Sequence, residues 1–175
     1  MAKTYNTIPT VATGDVYTAT AHNNIVENTN NYRVPPMCLT SGVNTSQNIP
    51  NGSFTPIEFT GADDVDTDSI HNPASNPSRF TVATAGVYVI TFTLVINSTA
   101  VAGAVLAITK NGGAFAENGS GSPISASAVR MTVTAMTNCA VGDYIEGSCY
   151  QASSPSGNRQ PYGGRMSVAW LGQVS

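Results

Sequence analysis

The chain has 175 residues, of which 41% are hydrophobic and only 10% charged, with a net charge of −3. That is enough for one domain with a packed core, and it leaves no polybasic surface, so the charge disfavours a nucleic-acid partner. No apolar run approaches the roughly 20 residues that span a bilayer, and the N-terminus lacks the apolar segment of a secretion signal, so maturation in the cytosol, or exit from the cell by another route, is expected, without membrane insertion.

Residues 1–13 have no helical or strand period and read as an extended arm. Thr18 is a candidate N-cap for a helix running from Ala19 to Tyr32, where His22, Ile25, Val26, Thr29 and Tyr32 fall on one side at helical spacing. Asn23, Asn24, Asn28, Asn30 and Asn31 are poor helix formers, so this helix is marginal alone and needs a surface to pack on. Pro35-Pro36 ends it and starts an extended segment. Residues 1–36 are therefore read as an anchoring arm and residues 37–175 as the body. The arm is polar and cannot order itself, so Ile8, Val11, Ile25, Val26 and Tyr32 are assigned to anchoring against another protein.

From Met37 onward, turn signals recur at the spacing of a β-sandwich or barrel. Asn51-Gly52 is read as a first hairpin turn, followed by a strand through Phe54, Ile57 and Phe59. Residues 61–77 read as a long polar loop. The longest period-two run lies between Gly86 and Ile96: Tyr88, Ile90, Phe92 and Leu94 alternate with Val87, Val89, Thr91, Thr93 and Val95, which predicts a central antiparallel strand. Its odd face is neither charged nor strongly apolar, as suits a surface covered by a neighbouring subunit. Lys110-Asn111-Gly112-Gly113 is the strongest hairpin signal. Further strands are expected over 102–109, 129–135, 144–151 and 165–171, with Tyr162-Gly163-Gly164-Arg165 a flexible turn into the last. No second helix is predicted, and an all-β fold with Greek-key connections follows.

The candidate chemistry is sparse. Asp63, Asp64, Asp66 and Asp68 are four of the ten acidic residues. A calcium loop is one reading, with Asp64, Asp66 and Asp68 as ligands. The glycine and distal glutamate of an EF-hand are missing, however, with Ser69 and Ser75 in those places, so a solvated acidic loop is favoured and no metal or cofactor is assigned. His71 is read as a loop histidine bonded to backbone. Cys38, Cys139 and Cys149 have no metal-ligand spacing and lie far from either histidine in sequence, so they read as small buried or half-buried thiols. A glycan-degrading enzyme needs a carboxylate pair set in the apolar body. Glu58, Glu117 and Glu146 are isolated, so no catalytic residue is assigned and the chain is not expected to be an enzyme.

Phe80, Gly86, Tyr88, Ile90 and Phe92, in that spacing, resemble the signature of the complement C1q and tumour necrosis factor jelly-roll family, with Ile90 where the family usually has Phe. Asp66 to His71 leading to Asn76-Pro-Ser-Arg-Phe80, then Ile108-Thr-Lys-Asn-Gly112, Gly142-Asp143-Tyr144-Ile145 with Tyr150-Gln151, and Trp170-Leu171-Gly172 are similar to the bacterial and phage branch of that family. The resemblance implies an antiparallel jelly-roll β-sandwich with Phe80, Tyr88, Ile90, Phe92 and Ile145 in its core. It also implies a homotrimer, with the axis expected to be lined by Val89, Thr91, Tyr144, Ser148 and Tyr150. In the arm, Gly14-Asp15-Val16-Tyr17-Thr18-Ala19 followed by His22-Asn23 resembles the N-terminal segments of tailed-phage structural proteins. Together the resemblances imply a virion protein assembled in the host cytoplasm. The expected site is the tail, with contacts to other virion proteins through the arm and to a host-surface glycan or protein. Capsid decoration or a head fibre is the alternative, and a glycan-binding or glycan-degrading surface module is less favoured.

Overall fold

The structure is a computed structural model that describes residues 5–8, 10, 12–13, 15–97, 101–120, 128–153 and 157–173. After helix α1 (Ala19–Arg33) come ten strands: β1 (Met37–Thr40), β2 (Thr55–Pro56), β3 (Val65–Asp66), β4 (Phe80–Thr81), β5 (Gly86–Asn97), β6 (Val101–Lys110), β7 (Gly113–Ser120), β8 (Ala128–Cys139), β9 (Tyr144–Ser153) and β10 (Pro161–Gly172). They form two antiparallel sheets, one in the order β3-β1-β10-β5-β8 and the other in the order β2-β9-β6-β7, with β4 also paired to β9. The fold is an all-β C1q/TNF-like jelly roll.

The period-two pattern of β5 decides the core. Tyr88, Ile90, Phe92, Leu94 and Ile96 are each fully buried, because alternate residues of a strand share one face. Across the sandwich they meet Leu106, Ile108, Ile145 and Cys149 of the second sheet, with Phe59 and Phe80 closing one side. Phe59 sets its ring edge-on to both Phe80 (5.9 Å) and Phe92 (6.4 Å), the geometry that aromatic quadrupoles favour. Asn111 (φ 52°) and Gly112 (φ 82°) take the left-handed conformations of a tight hairpin turn, and Lys110 pairs with Gly113 across it.

Three segments depart from the expected pattern. The strand read from Phe54 pairs only over Thr55–Pro56, and Phe54 itself is exposed. Residues 61–77 are more ordered than a polar loop: β3 pairs with β1, Ile70 is buried, and His71 bridges to Phe80. Residues 162–165 belong to β10 and pair with β5 past a bulge. Gly163 and Gly164 suggested a turn, yet Gly164 lies close against Leu94, where a larger side chain would crowd the sheet.

Candidate functional site

Three surfaces could carry function: the outer face of each sheet, and the arm with its helix. The outer face of the β5 sheet runs in unbroken cross-strand rows. Met37 pairs with Ala169, Ala169 with Val89 and Val89 with Met136. The next row is Val65, Leu39, Ser167, Thr91 and Thr134. Hydroxyl pairs Thr91–Thr134 (3.1 Å) and Thr93–Thr132 (2.9 Å) tie β5 to β8 on this face. Among the described residues, charge on this face lies at one end, with Arg130 and with Arg165, whose guanidinium is 3.9 Å from Asp64. Met136 and Leu171 remain exposed, and Val87, Val89, Thr91 and Thr93 are half-buried. Away from that end the face is uncharged and gently apolar.

Val89 and Thr91 lie on that face; Tyr144, Ser148 and Tyr150 do not. They point outward as parity required, but β9 belongs to the other sheet, so these residues lie on the opposite outer surface from Val89 and Thr91. Tyr144 carries the Arg79 guanidinium over its ring at 4.2 Å. Tyr150 packs on Phe54 with 5.5 Å between centroids. Ser148 and Glu146 line a depression of about 280 Å³ with Phe54, Pro56, Ala107 and Thr109. Glu146, read from the sequence as an isolated carboxylate, is partnered in the fold. It is 7% exposed, and its Oε1 accepts from the Ser78 hydroxyl (2.8 Å) and from Arg79 Nε (3.4 Å).

The carboxylates of Asp64, Asp66 and Asp68 do not converge on one point. Asp66 accepts from the backbone N–H of Asp68 (3.2 Å), Ile70 (3.0 Å) and His71 (3.0 Å). Asp68 accepts from the Thr84 hydroxyl (2.8 Å), and Asp64 from the Ser41 hydroxyl (3.2 Å). Three carboxylates turned to three different partners present no converging oxygens for a hard cation. The loop was read as a solvated acidic one; Asp66 and Asp68 instead turn inward and brace the chain between β3 and β4.

The arm also departs from expectation. Thr18 caps α1 by accepting from the Ala21 N–H, and the helix meets the rest of the chain through its asparagines and Tyr32, while Ile25 and Val26 stay exposed. Ala21 is buried, and Asn24, Asn28 and Asn31 are half-buried. Asn28 Oδ1 accepts from the Asn6 N–H (2.8 Å) while its Nδ2 donates to the Asn6 carbonyl (2.8 Å), and Asn24 Nδ2 donates to the Thr7 carbonyl (3.1 Å). Amide side chains satisfy both donor and acceptor of an extended backbone, which apolar side chains cannot do. Tyr5 stacks on Trp170 at 4.8 Å and meets Tyr32 edge-on at 5.3 Å. The arm is therefore ordered in part on its own jelly roll, which corrects the expectation that only an outside partner holds it. Ile8, Ile25, Val26 and Tyr32 are left exposed; Val11 lies outside the described residues. Trp170 is the only tryptophan, so Tyr5→Ala should shift its emission to the red and lower stability by about 1 kcal/mol, as for loss of an aromatic pair. Unchanged emission would show that the arm does not sit on Trp170 in solution.

Cys38, Cys139 and Cys149 are free and buried. Burial, reinforced by the Asp63 carboxylate, holds the Cys38 thiol far above its ordinary range, and burial alone pushes Cys149 up to about 12. Both stay protonated at neutral pH, so neither is an activated nucleophile. Among the described residues no helix is long and apolar enough to cross a membrane.

No family model and no curated protein matches the sequence. Among solved structures, the globular domain of zebrafish complement 1qA protein is similar over 79% of this chain and 98% of its own, at 13% identity and a TM-score of 0.55. Murine APRIL at pH 5.0 is similar over 78% of this chain and 98% of its own, at 10% identity and a TM-score of 0.54. At these identities the likeness shows the fold, and the fold it shows is the C1q/TNF-like jelly roll.

Proposed function

We propose that the chain is a non-enzymatic structural and interaction protein of a phage particle: a homotrimer of jelly rolls, tail-associated and fastened by residues 1–36. The single observation that carries the trimer is the outer face of the β3-β1-β10-β5-β8 sheet, uncharged along its cross-strand rows from Met37 to Met136 and from Val65 to Thr134. The three-fold axis lies against this face, and the β9 face is turned outward. The shallow depression beside Phe54 and Glu146 is then the surface open to a host glycan or protein.

The particle assignment rests on the resemblance of residues 14–23 and of the body to phage proteins, together with an apolar stripe of Ile8, Ile25 and Val26 that the chain leaves exposed. Docking to other virion proteins uses that stripe. Val89→Asp with Thr91→Arg should convert a sedimenting trimer into monomer, because unmatched charge at the centre of a subunit contact costs several kcal/mol. Tyr150→Arg, on the other face, should leave the trimer intact. A parent protein that sediments as a monomer at micromolar concentration overturns the trimer. Ile25→Asp with Val26→Asp should leave a folded trimer that is no longer incorporated into particles. Imaging of particles labelled at the C-terminus separates tail from capsid: label spread over the shell replaces the tail assignment with decoration.

A further inference from the structure

The cluster formed by Cys38, Asp63 and His71 plays no part in the reading above. The Sγ of Cys38, a carboxylate oxygen of Asp63 and a ring nitrogen of His71 all lie within 4.8 Å of one another. The three residues come from β1, from the loop that leads into β3, and from the bridge before β4, so only the folded sandwich brings them together. Cys38 is fully buried, and the side chains of His71 and Asp63 are 0% and 13% exposed.

The surroundings hold the imidazole in one orientation. Its plane stacks on Phe80 at 4.5 Å and 11°, and its backbone N–H is held by the Asp66 carboxylate (3.0 Å). Nε2 lies 3.1 Å from the Pro77 carbonyl. Metal-bound histidines are commonly held in this way, with a backbone carbonyl against the far ring nitrogen. Nδ1 in turn faces Asp63 Oδ1 at 2.7 Å. A ring that donates from Nδ1 fills the Asp63 contact by itself; a ring that donates from Nε2 to the carbonyl offers the Nδ1 lone pair and Asp63 Oδ1 together to a cation. Only the second arrangement gives the sulfur beside them a partner.

We propose that Cys38, Asp63 and His71 form a binding site for a thiophilic divalent cation of the zinc type. Sulfur, nitrogen and oxygen donors in one cluster suit such an ion and do not suit calcium or magnesium, which take oxygen. Three protein ligands leave the fourth tetrahedral position to water. Zinc bonds of about 2.0–2.2 Å to nitrogen and oxygen require Nδ1 and Oδ1 to stand roughly 3.3 Å apart. Asp63 must therefore withdraw by about half an ångström, which its partly exposed loop permits. On binding, the Cys38 S–H bond breaks, the sulfur pair goes to the metal, and the proton leaves to solvent.

The test uses the full chain, stripped with chelator and titrated with Zn²⁺ and with Co²⁺. One equivalent should bind per chain. The cobalt form should show sulfur-to-cobalt charge-transfer absorption, and proton release should be measurable in buffers of different ionisation enthalpy. Cys38→Ala and His71→Gln should each weaken binding by at least about 100-fold, the upper end of what losing a supporting partner costs, while Cys149→Ala should bind like the parent. Absence of stoichiometric metal, cobalt spectra without a sulfur band, or undiminished binding by Cys38→Ala would overturn the site and leave a ring that donates from Nδ1 to Asp63. The cobalt spectrum is read on the parent protein, so it decides the matter even if a variant fails to fold.

Discussion

Gly86→Ala should lower the melting temperature more than any surface change in the molecule. Gly86 opens β5 with φ at +147°, and a Cβ there would lie 2.2 Å from Trp170 Nε1 and 2.4 Å from the Gly172 carbonyl. The backbone strain costs about 1–3 kcal/mol, and forcing the last strand away adds roughly 1–3 kcal/mol of overpacking. The same shift breaks the hydrogen bond that Trp170 Nε1 donates to the Ala85 carbonyl (3.1 Å). It would also disturb the tyrosines stacked on that indole, so loss of the native Trp170 emission should accompany the loss of stability. A variant that melts with the parent would mean that β10 does not close over Gly86.

The second large effect is expected at Phe92. Phe92→Ala should cost about 3–5 kcal/mol, as for emptying a packed aromatic site, measured by denaturant unfolding with an unchanged slope. Phe92 is fully buried at the middle of β5, and its ring lies against Gly147 of the facing sheet, where a Cβ would approach to 2.8 Å. The ring fills the space that Gly147 leaves open, so on that side no side chain replaces it. Gly147→Ala tests the same contact from the other side and should destabilise by roughly 1–3 kcal/mol. A Phe92→Ala variant of parental stability would place the wrong face of β5 in the core.

Within β5, the sequence was a sufficient guide to which side chains point inward. β-branched and aromatic residues at a strict period of two leave one buried face, and Tyr88, Ile90 and Phe92 follow from it; Phe80 and Ile145, expected from the family resemblance, are buried as well. Asn111-Gly112 announced its hairpin because few residues tolerate positive φ. In α1 the sequence showed an apolar stripe but not which residues meet the chain's own arm: Ile25 and Val26 stay exposed, and the extended backbone of the arm is met by the amides of Asn24 and Asn28.

Tertiary structure alone decided which strands share a sheet. Parity placed Tyr144, Ser148 and Tyr150 on an outward face, as it did Val89 and Thr91, but parity is defined relative to a strand's own sheet and says nothing about which of two sheets that is. Hydrogen bonding of β9 to β6, and of β5 to β8 and β10, puts the two sets on opposite surfaces. The same long-range pairing brings Cys38, Asp63 and His71 together from positions 25 and 8 residues apart. No local spacing encodes that cluster, because its geometry is created by the closure of the sandwich and not by the period of any one strand.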